Sequence, residues 1–440
     1  MFDTREKPQM VESAFLIGAY FHRDDEATAS SLLDELAELV TTLGIGIAAK
    51  KCVFVRSRSK RYLTGSGKAE ELIAEAESIG ADCIVFDNEL TPSQQRTWET
   101  EGDITVIDRE EVILDIFKMR AQTKEATLQV ELARMQYSLP RLARMWTHLD
   151  RQGGGGGGGG KGAARGEGEQ QIEVDRRLAR KRIDRIKAEL EDVRRNRQTQ
   201  RKQRSDEGIC QASIVGYTNA GKSSLLNALS GATVLAEDKL FATLDPTTRR
   251  IELPDGQPLL LTDTVGFVRN LPHRLVEAFK ATLEEAVLSD FLIHVLDASS
   301  PEIYSLHETT LDVLAELGAD EKPTIIVLNK MDLVADPDRI HELKNHFDEN
   351  AVFISVATGE GMEQLIDRIT DMMVDRVSRL NLRLPQSRQD LVALLHREGK
   401  ILSEDYEGND VLVNAVVPHA LRHRFEEFAE SASQGSTHTA

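Results

Sequence analysis

Gly216-Tyr217-Thr218-Asn219-Ala220-Gly221-Lys222-Ser223 has the spacing G-x-x-x-x-G-K-S, and that spacing suits a polyphosphate. The glycines let backbone N–H groups wrap a β-phosphate, and the helix expected next adds the positive end of its dipole. Lys222 is placed to neutralise β- and γ-phosphate oxygens, and the Ser223 hydroxyl to ligate Mg2+. The apolar run Ala212 to Val215 reads as a strand and Ser224 to Leu229 as an amphipathic helix, the context this motif requires.

Four further strings fall into place around it. Asp263-Thr264-Val265-Gly266 closes the apolar run Leu259 to Thr262, and Asp263 follows Ser223 by 40 residues. A carboxylate there can hold the Mg2+ shell through water, and the Gly266 N–H can sense a γ-phosphate. Asn329-Lys330-Met331-Asp332 follows the buried-looking run Thr324 to Leu328 and would choose the base. A carboxylate accepts from guanine N1–H and the exocyclic amine together, whereas adenine offers neither donor. A site built for paired polar contacts rejects an analogue lacking them strongly. Asn329 and Lys330 would brace that loop. Ser355-Val356-Ala357, after Val352 to Ile354, would offer backbone to guanine O6. Phe241-Ala242-Thr243-Leu244-Asp245, then Pro246-Thr247-Thr248, lies between helix and strand. One threonine there must complete the Mg2+ shell. Thr243 is favoured because it precedes Leu-Asp-Pro at the bend, with Thr247 and Thr248 as alternatives. Lys222, Thr243 and Gly266 are thus the expected catalytic groups, and Ser223 and Thr243 the metal ligands. The base-choosing tetrapeptide argues against an ATPase or small-molecule kinase on the same phosphate loop.

The set lacks one part. Many small GTPases place a glutamine after the D-x-x-G glycine to orient the attacking water. Phe267 stands there, and an apolar ring cannot position water. Slow hydrolysis by the chain alone is expected, with help from another loop, a potassium ion or a partner. A second glycine loop, Thr64-Gly65-Ser66-Gly67-Lys68-Ala69, lacks the first glycine and the Mg2+ hydroxyl. It reads as a turn before a helix.

These groups need an α/β frame. Residues 206–377 alternate strand and helix, which predicts a doubly wound, mostly parallel sheet. Residues 1–107 do the same on a smaller scale, with strands expected at Ser13 to Tyr20, Gly44 to Val55, Cys83 to Asp87 and Ile104 to Ile107. Helices are expected at Ala27 to Leu43 and Lys68 to Ser78. Residues 108–205 read as a helical hairpin. Leu128, Leu132, Met135, Leu139 and Leu142 form one apolar stripe, and Ala179, Ile183, Ile186, Leu190 and Val193 the other. Its tip, residues 151–170, carries eight consecutive glycines, a sequence that loses too much backbone entropy to pack. The second helix is expected from about Gln171. Residues 378–430 should be a small α+β domain, with helices at Gln389 to Glu398 and His419 to Ala429 and strands at Lys400 to Leu402 and Asp410 to Val416. Residues 431–440 read as a disordered tail.

Composition narrows the partners. The chain has 440 residues, 40% hydrophobic and 29% charged, with a formal net charge of −19. Yet Arg176 to Arg204 holds 13 Lys or Arg against 4 Asp or Glu. A basic arm on an acidic protein points to one polyanionic partner touched at one place. Three cysteines, Cys52, Cys83 and Cys210, sit far apart with no metal-ligand spacing and read as buried thiols in a reducing compartment. No apolar run is long enough to span a bilayer. A cytoplasmic monomer is expected.

The whole chain resembles the HflX family of ribosome-associated bacterial GTPases. Beyond the nucleotide motifs, the resemblance rests on Tyr62-Leu-Thr-Gly-Ser-Gly-Lys-Ala-Glu-Glu-Leu and Phe86-Asp-Asn-Glu-Leu-Thr-Pro-Ser-Gln-Gln-Arg96. It rests also on Asp108-Arg-Glu-Glu-Val-Ile-Leu-Asp-Ile-Phe117, Leu128-Gln-Val-Glu-Leu-Ala133, the Leu139-Pro-Arg-Leu142 turn and Gln171-Ile-Glu-Val-Asp-Arg-Arg177. It implies that Phe241 to Asp245 is the family's switch loop, which favours Thr243. It further implies binding of GTP and GDP and contact between the hairpin, residues 176–204, and ribosomal RNA of the large subunit. Ribosome dissociation, rescue, biogenesis or protein synthesis would be the setting. At the hairpin tip Arg165-Gly-Glu-Gly-Glu-Gln replaces the family's shorter Arg-Gly-Pro-Gly-Glu-Thr. A signalling GTPase acting on a protein effector is the alternative.

Overall fold

The computed structural model describes residues 11–141, 163–206, 209–231, 241, 244–254, 256–270, 285–347, 351–374, 377–398, 400–422 and 424–429. The eight glycines, the expected tail, Ala242 and Thr243 lie outside them. By contacts the chain forms two units. One comprises Met1–Val193, Glu237–Asp245 and Val265–Thr282, and the other Arg194–Ala236, Pro246–Thr264 and Leu283–Ala440.

The first unit is built on four parallel strands, β1 (Ser13–Tyr20), β2 (Gly46–Phe54), β3 (Cys83–Phe86) and β4 (Thr105–Asp108), in the order β2-β1-β3-β4. Parallel strands need crossovers. Helices α1 (Glu26–Thr42), α2 (Ser66–Ser78) and α3 (Pro92–Gly102) supply them. β3 is apolar and buried along its whole length, as a strand covered on both faces must be. Phe15, Ile17, Leu72, Phe86 and Trp98 pack its core. α3 starts with a full capping box, Thr91 and Gln94 exchanging bonds ahead of Pro92.

Three more helices follow: α4 (Arg109–Arg120), α5 (Lys124–Ser138) and α6 (Ala163–Asp206). α6 begins eight residues before Gln171, where apolar periodicity first becomes readable. Leu128 and Leu132 of α5 meet Ile183, Ile186 and Leu190 of α6, with Met135 and Leu139 at the margin. Arg182 forks onto Glu131 at 2.8 and 3.0 Å. Outside the seam, α6 exposes Arg176, Arg177, Arg180, Lys181, Arg185 and Lys187.

The second unit holds a six-stranded sheet in the order β10-β9-β8-β5-β7-β6. Its strands are β5 (Cys210–Gly216), β6 (Thr247–Glu252), β7 (Pro258–Asp263), β8 (Phe291–Asp297), β9 (Thr324–Asn329) and β10 (Ala351–Phe353). All pairings are parallel except β6 with β7. Helices α7 (Lys222–Ser230), α8 (Ile303–Glu316), α9 (Pro337–Phe347) and α10 (Met362–Val374) connect them. A three-stranded antiparallel sheet follows, β11 (Val377–Pro385), β12 (Lys400–Glu407) and β13 (Asp410–Pro418), with α11 (Gln389–Glu398) packed on it.

Local expectations change in the C-terminal part as well, where β12 runs on to Glu407 rather than ending at Leu402. β11 was not foreseen, although Leu380, Leu382 and Leu384 alternate with polar residues as a half-buried strand should. The last helix is only α12 (His419–Arg422), not a run to Ala429. Phe425 is fully buried in the core of the small sheet, and Ala429 bridges Leu382. A continuous helix would forgo both contacts.

Candidate functional site

The predicted groups gather where parallel strands end. Gly216 closes β5, Asp263 closes β7 and Asn329 closes β9, and the strands between them are direct neighbours. Ligands in open α/β sheets bind in this crevice, outside the carboxyl ends. The loop from Gly216 to Gly221 is shaped by two close approaches. Gly216 has φ +142°, and a Cβ there would sit 2.2 Å from the Val295 carbonyl oxygen of β8. Gly221 has φ +96°, and its Cβ would sit 2.2 Å from Asn329 Nδ2. Both positions therefore admit only glycine.

Lys222 opens α7, is 6% exposed, and donates to the Tyr217 carbonyl at 2.7 Å. Its ammonium is thus folded across the loop. Burial lowers its pKa to about 8, with the Asp263 carboxylate working in the opposite direction. Ser223 donates its hydroxyl to Asp263 Oδ2 at 2.6 Å. These are the two hard oxygen donors expected around Mg2+, brought together from the β5–α7 loop and the end of β7. The donor chemistry fits the ion. Thr264 anchors the strand end by donating its hydroxyl to the Ile214 carbonyl at 2.7 Å.

The Asn329 to Asp332 and Ser355 to Ala357 strings are braced as a unit. Asn329 donates to the Ala220 carbonyl at 2.9 Å and accepts from Val356 N at 3.1 Å. It therefore joins the phosphate loop to Ser355-Val356-Ala357. Asp332 is exposed, and its Oδ1 accepts from the fully buried Ser355 hydroxyl at 2.6 Å. That bond fixes the carboxylate's plane while leaving it open to a ligand. Lys330 is left-handed, with φ +64°. It pairs with Asp297 at 2.7 Å, and Asp297 stands opposite Asn329 across the β8–β9 register. Asp297 was missed from sequence. Its signal was weak: a lone aspartate ending an apolar strand beside the one that carries Asn329. Met331 and Ala357 complete the two strings.

Of the competing threonines, Thr247 and Thr248 lie within β6, and the Thr248 hydroxyl meets that of Thr262 at 2.9 Å. Thr243 and Ala242 lie outside the described residues. The rest of the loop keeps company with the first unit. Phe241, at φ +54°, sets its ring 4.6 Å from that of Phe117, and Leu244 is buried. Asp245 accepts from Gln122 N at 3.0 Å and Thr123 N at 3.1 Å. Val265 and Gly266 are grouped there too, as is Phe267, which is 1% exposed. Arg269 donates to Glu35 Oε2 at 3.0 Å and to the Ser31 hydroxyl at 2.8 Å. The glycine loop before α2 is an ordinary turn, and Lys68 spends its charge on Glu71 at 2.7 Å.

Comparison with known proteins gives the family. The family model described as GTP-binding GTPase N-terminal matches residues 30–118, the GTP-binding GTPase middle region 120–204, and the 50S ribosome-binding GTPase 211–330. The chain is 59% identical to the GTPase HflX of Akkermansia muciniphila over 97% of this chain and 99% of that one. The chain belongs to the HflX family of GTPases. It is also 45% identical to the GTPase HflX of Lacrimispora saccharolytica, covering 93% and 94% of the two chains. A GTP-binding protein from Sulfolobus solfataricus, solved in complex with GDP, aligns over 83% of this chain and 99% of its own at 24% identity, with a TM-score of 0.42.

The HflX strings outside the nucleotide site now have a physical reason. Asp108 is fully buried, and burial raises its pKa. It accepts from Glu111 N, Leu90 N and Tyr137 Oη at 3.1 Å each, and from Arg141 at 3.3 Å. Arg141 also reaches Gln95 and the Leu90 carbonyl and lies 3.7 Å from the Tyr137 ring centre. The strings around Leu90, Asp108 and Arg141 therefore form one buried polar lock between the sheet and the base of α5.

Proposed function

We propose that the chain binds GTP and hydrolyses it to GDP and phosphate, and that it does so at speed only when its basic hairpin engages the large ribosomal subunit. In this reading the amides of Tyr217 to Ser223 and the Lys222 ammonium hold the β- and γ-phosphates. Ser223 and Asp263 hold Mg2+, Ser223 directly and Asp263 through water, with Thr243 completing the set. The ion supplies positive charge to the phosphate oxygens. Asp332 reads guanine, Asn329 and Lys330 brace it, and the Val356 and Ala357 backbone faces O6. Gly266 reports on the γ-phosphate.

The observation that carries the partner is the exposed arginine and lysine face of α6 in a chain of net charge −19. Arg-rich helices suit a phosphate backbone, and such contact weakens steeply with salt. Dissociation or rescue of ribosomes, biogenesis or protein synthesis are the settings this allows. Phe267 adds the second argument, because a buried ring cannot orient a water. Co-sedimentation with large subunits tests the proposal. Binding with a GTP analogue should exceed binding with GDP and fall as salt rises. Binding indifferent to both nucleotide and salt would contradict it and favour a protein effector.

A further inference from the structure

Within the Asn329 to Asp332 string, Lys330 alone has a left-handed backbone, at φ +64°. A residue with a side chain keeps that conformation only where its surroundings over-determine it. Three contacts do so here. Asn329, one residue before, is tied to Ala220 and Val356. Met331, one residue after, donates its N–H to the Ile354 carbonyl at 3.2 Å. The Lys330 ammonium pairs with Asp297 Oδ2 at 2.7 Å, at the end of β8. Asp297 is itself fixed. Its Oδ1 accepts from the Ser299 N–H at 2.9 Å and from the Ser299 hydroxyl at 2.5 Å. Ala298 donates its N–H to the Asn329 carbonyl at 2.8 Å, which keeps the end of β8 against the loop that follows β9. One carboxylate oxygen is thus anchored in the turn, and the other takes the lysine. The Lys330 side chain is 26% exposed and that of Asp297 22%, so solvent screens the pair only in part.

We infer that Asp297 is a positioning residue for guanine recognition, holding the Lys330 side chain where its stem packs on the base. The inference rests on the reading of Asn329 to Asp332 as the guanine reader. A lysine side chain free in water samples many rotamers, and immobilising it on binding lowers affinity. Asp297 removes that freedom with protein groups alone, so the base need not order the lysine. The four-carbon stem then offers apolar surface while its charge stays satisfied. The competing explanation is purely structural, with Asp297 serving only the turn through Ser299. The two explanations differ in whether the effect of Asp297 passes through the Lys330 ammonium.

A double-mutant cycle on the full chain tests it, read as affinity for a fluorescent GDP. Asp297→Asn separates the two roles, because an amide oxygen still accepts from Ser299 while the negative charge is lost. Affinity should fall by about fivefold or more. Lys330→Met keeps an apolar stem without the ammonium and should lower affinity by itself. In that background Asp297→Asn should cost less than about twofold. Thermal unfolding, followed in parallel, shows that each variant is folded. An affinity unchanged by Asp297→Asn would overturn the inference. So would an equal loss with and without the Lys330 ammonium, since Asp297 would then be a turn residue only. Competition by unlabelled ADP separates this inference from the reading beneath it. A chain that takes ADP as readily as GDP would overturn the guanine reading and this inference with it. A guanine-selective chain indifferent to Asp297→Asn would overturn this inference alone.

Discussion

Asp332 and Lys222 carry the sharpest predictions at the scale of single residues. Asp332 is held edge-on by Ser355, so its chemistry can be changed without moving its loop. Asp332→Asn replaces two acceptors by one acceptor and a donor. Affinity should pass from guanine to xanthine nucleotides, with a loss for GTP on the order of 100-fold or more. Competition of GTP and XTP for the same labelled site would read it, and unchanged selectivity would remove the assignment. Lys222 predicts a pH effect with a definite sign. Its pKa is lowered to about 8 in the free protein, and a bound triphosphate favours the protonated form. Below that pH both states hold the proton and affinity is flat. Above it, binding must take up a proton, so affinity falls by up to about tenfold per pH unit. Calorimetry at pH 8.5 in two buffers of different ionisation enthalpy should show proton uptake, and proton release would reverse the argument.

Elements were legible where a single periodicity ruled. β1, with its unbroken apolar run, and the facing stripes of α5 and α6 follow from spacing alone. The nucleotide strings were legible because sheet topology forces strand ends together, which placed Ser223 by Asp263 and Asn329 by Gly221. What spacing could not show was pairing between distant positions. Asp297 with Lys330, Arg269 with Glu35, and Asp245 with Thr123 each join segments whose separation in sequence carries no pattern. α12 was misread because Phe425 is drawn into the core of the small sheet, a tertiary demand that overrides helical spacing. The buried lock around Asp108 gives a prediction at this scale. Arg141→Met leaves the carboxylate without its cation and should cost about 3–5 kcal/mol, read as a lower denaturant midpoint. An unchanged midpoint would mean that the lock does not hold α5 to the sheet.

The whole molecule joins an acidic body to a basic helical arm. The unit that bears the arm includes Glu237–Asp245 and Val265–Thr282, the segments proposed to follow the γ-phosphate. The loop from Gly216 to Ser223 and the Asn329 to Asp332 string stand in the other unit. Under the proposed function, nucleotide and polyanion would be read by separate units. Phe267 cannot orient a water, and the proposed function assigns that task to the partner. Raising salt should therefore remove the partner's effect on turnover while leaving basal turnover nearly unchanged, because buried groups are screened far less than exposed arginines. The most direct test is the GTPase rate of the purified chain with and without large ribosomal subunits. The account predicts slow turnover alone and an increase of about tenfold or more on the subunits. A turnover already as fast without them would contradict it.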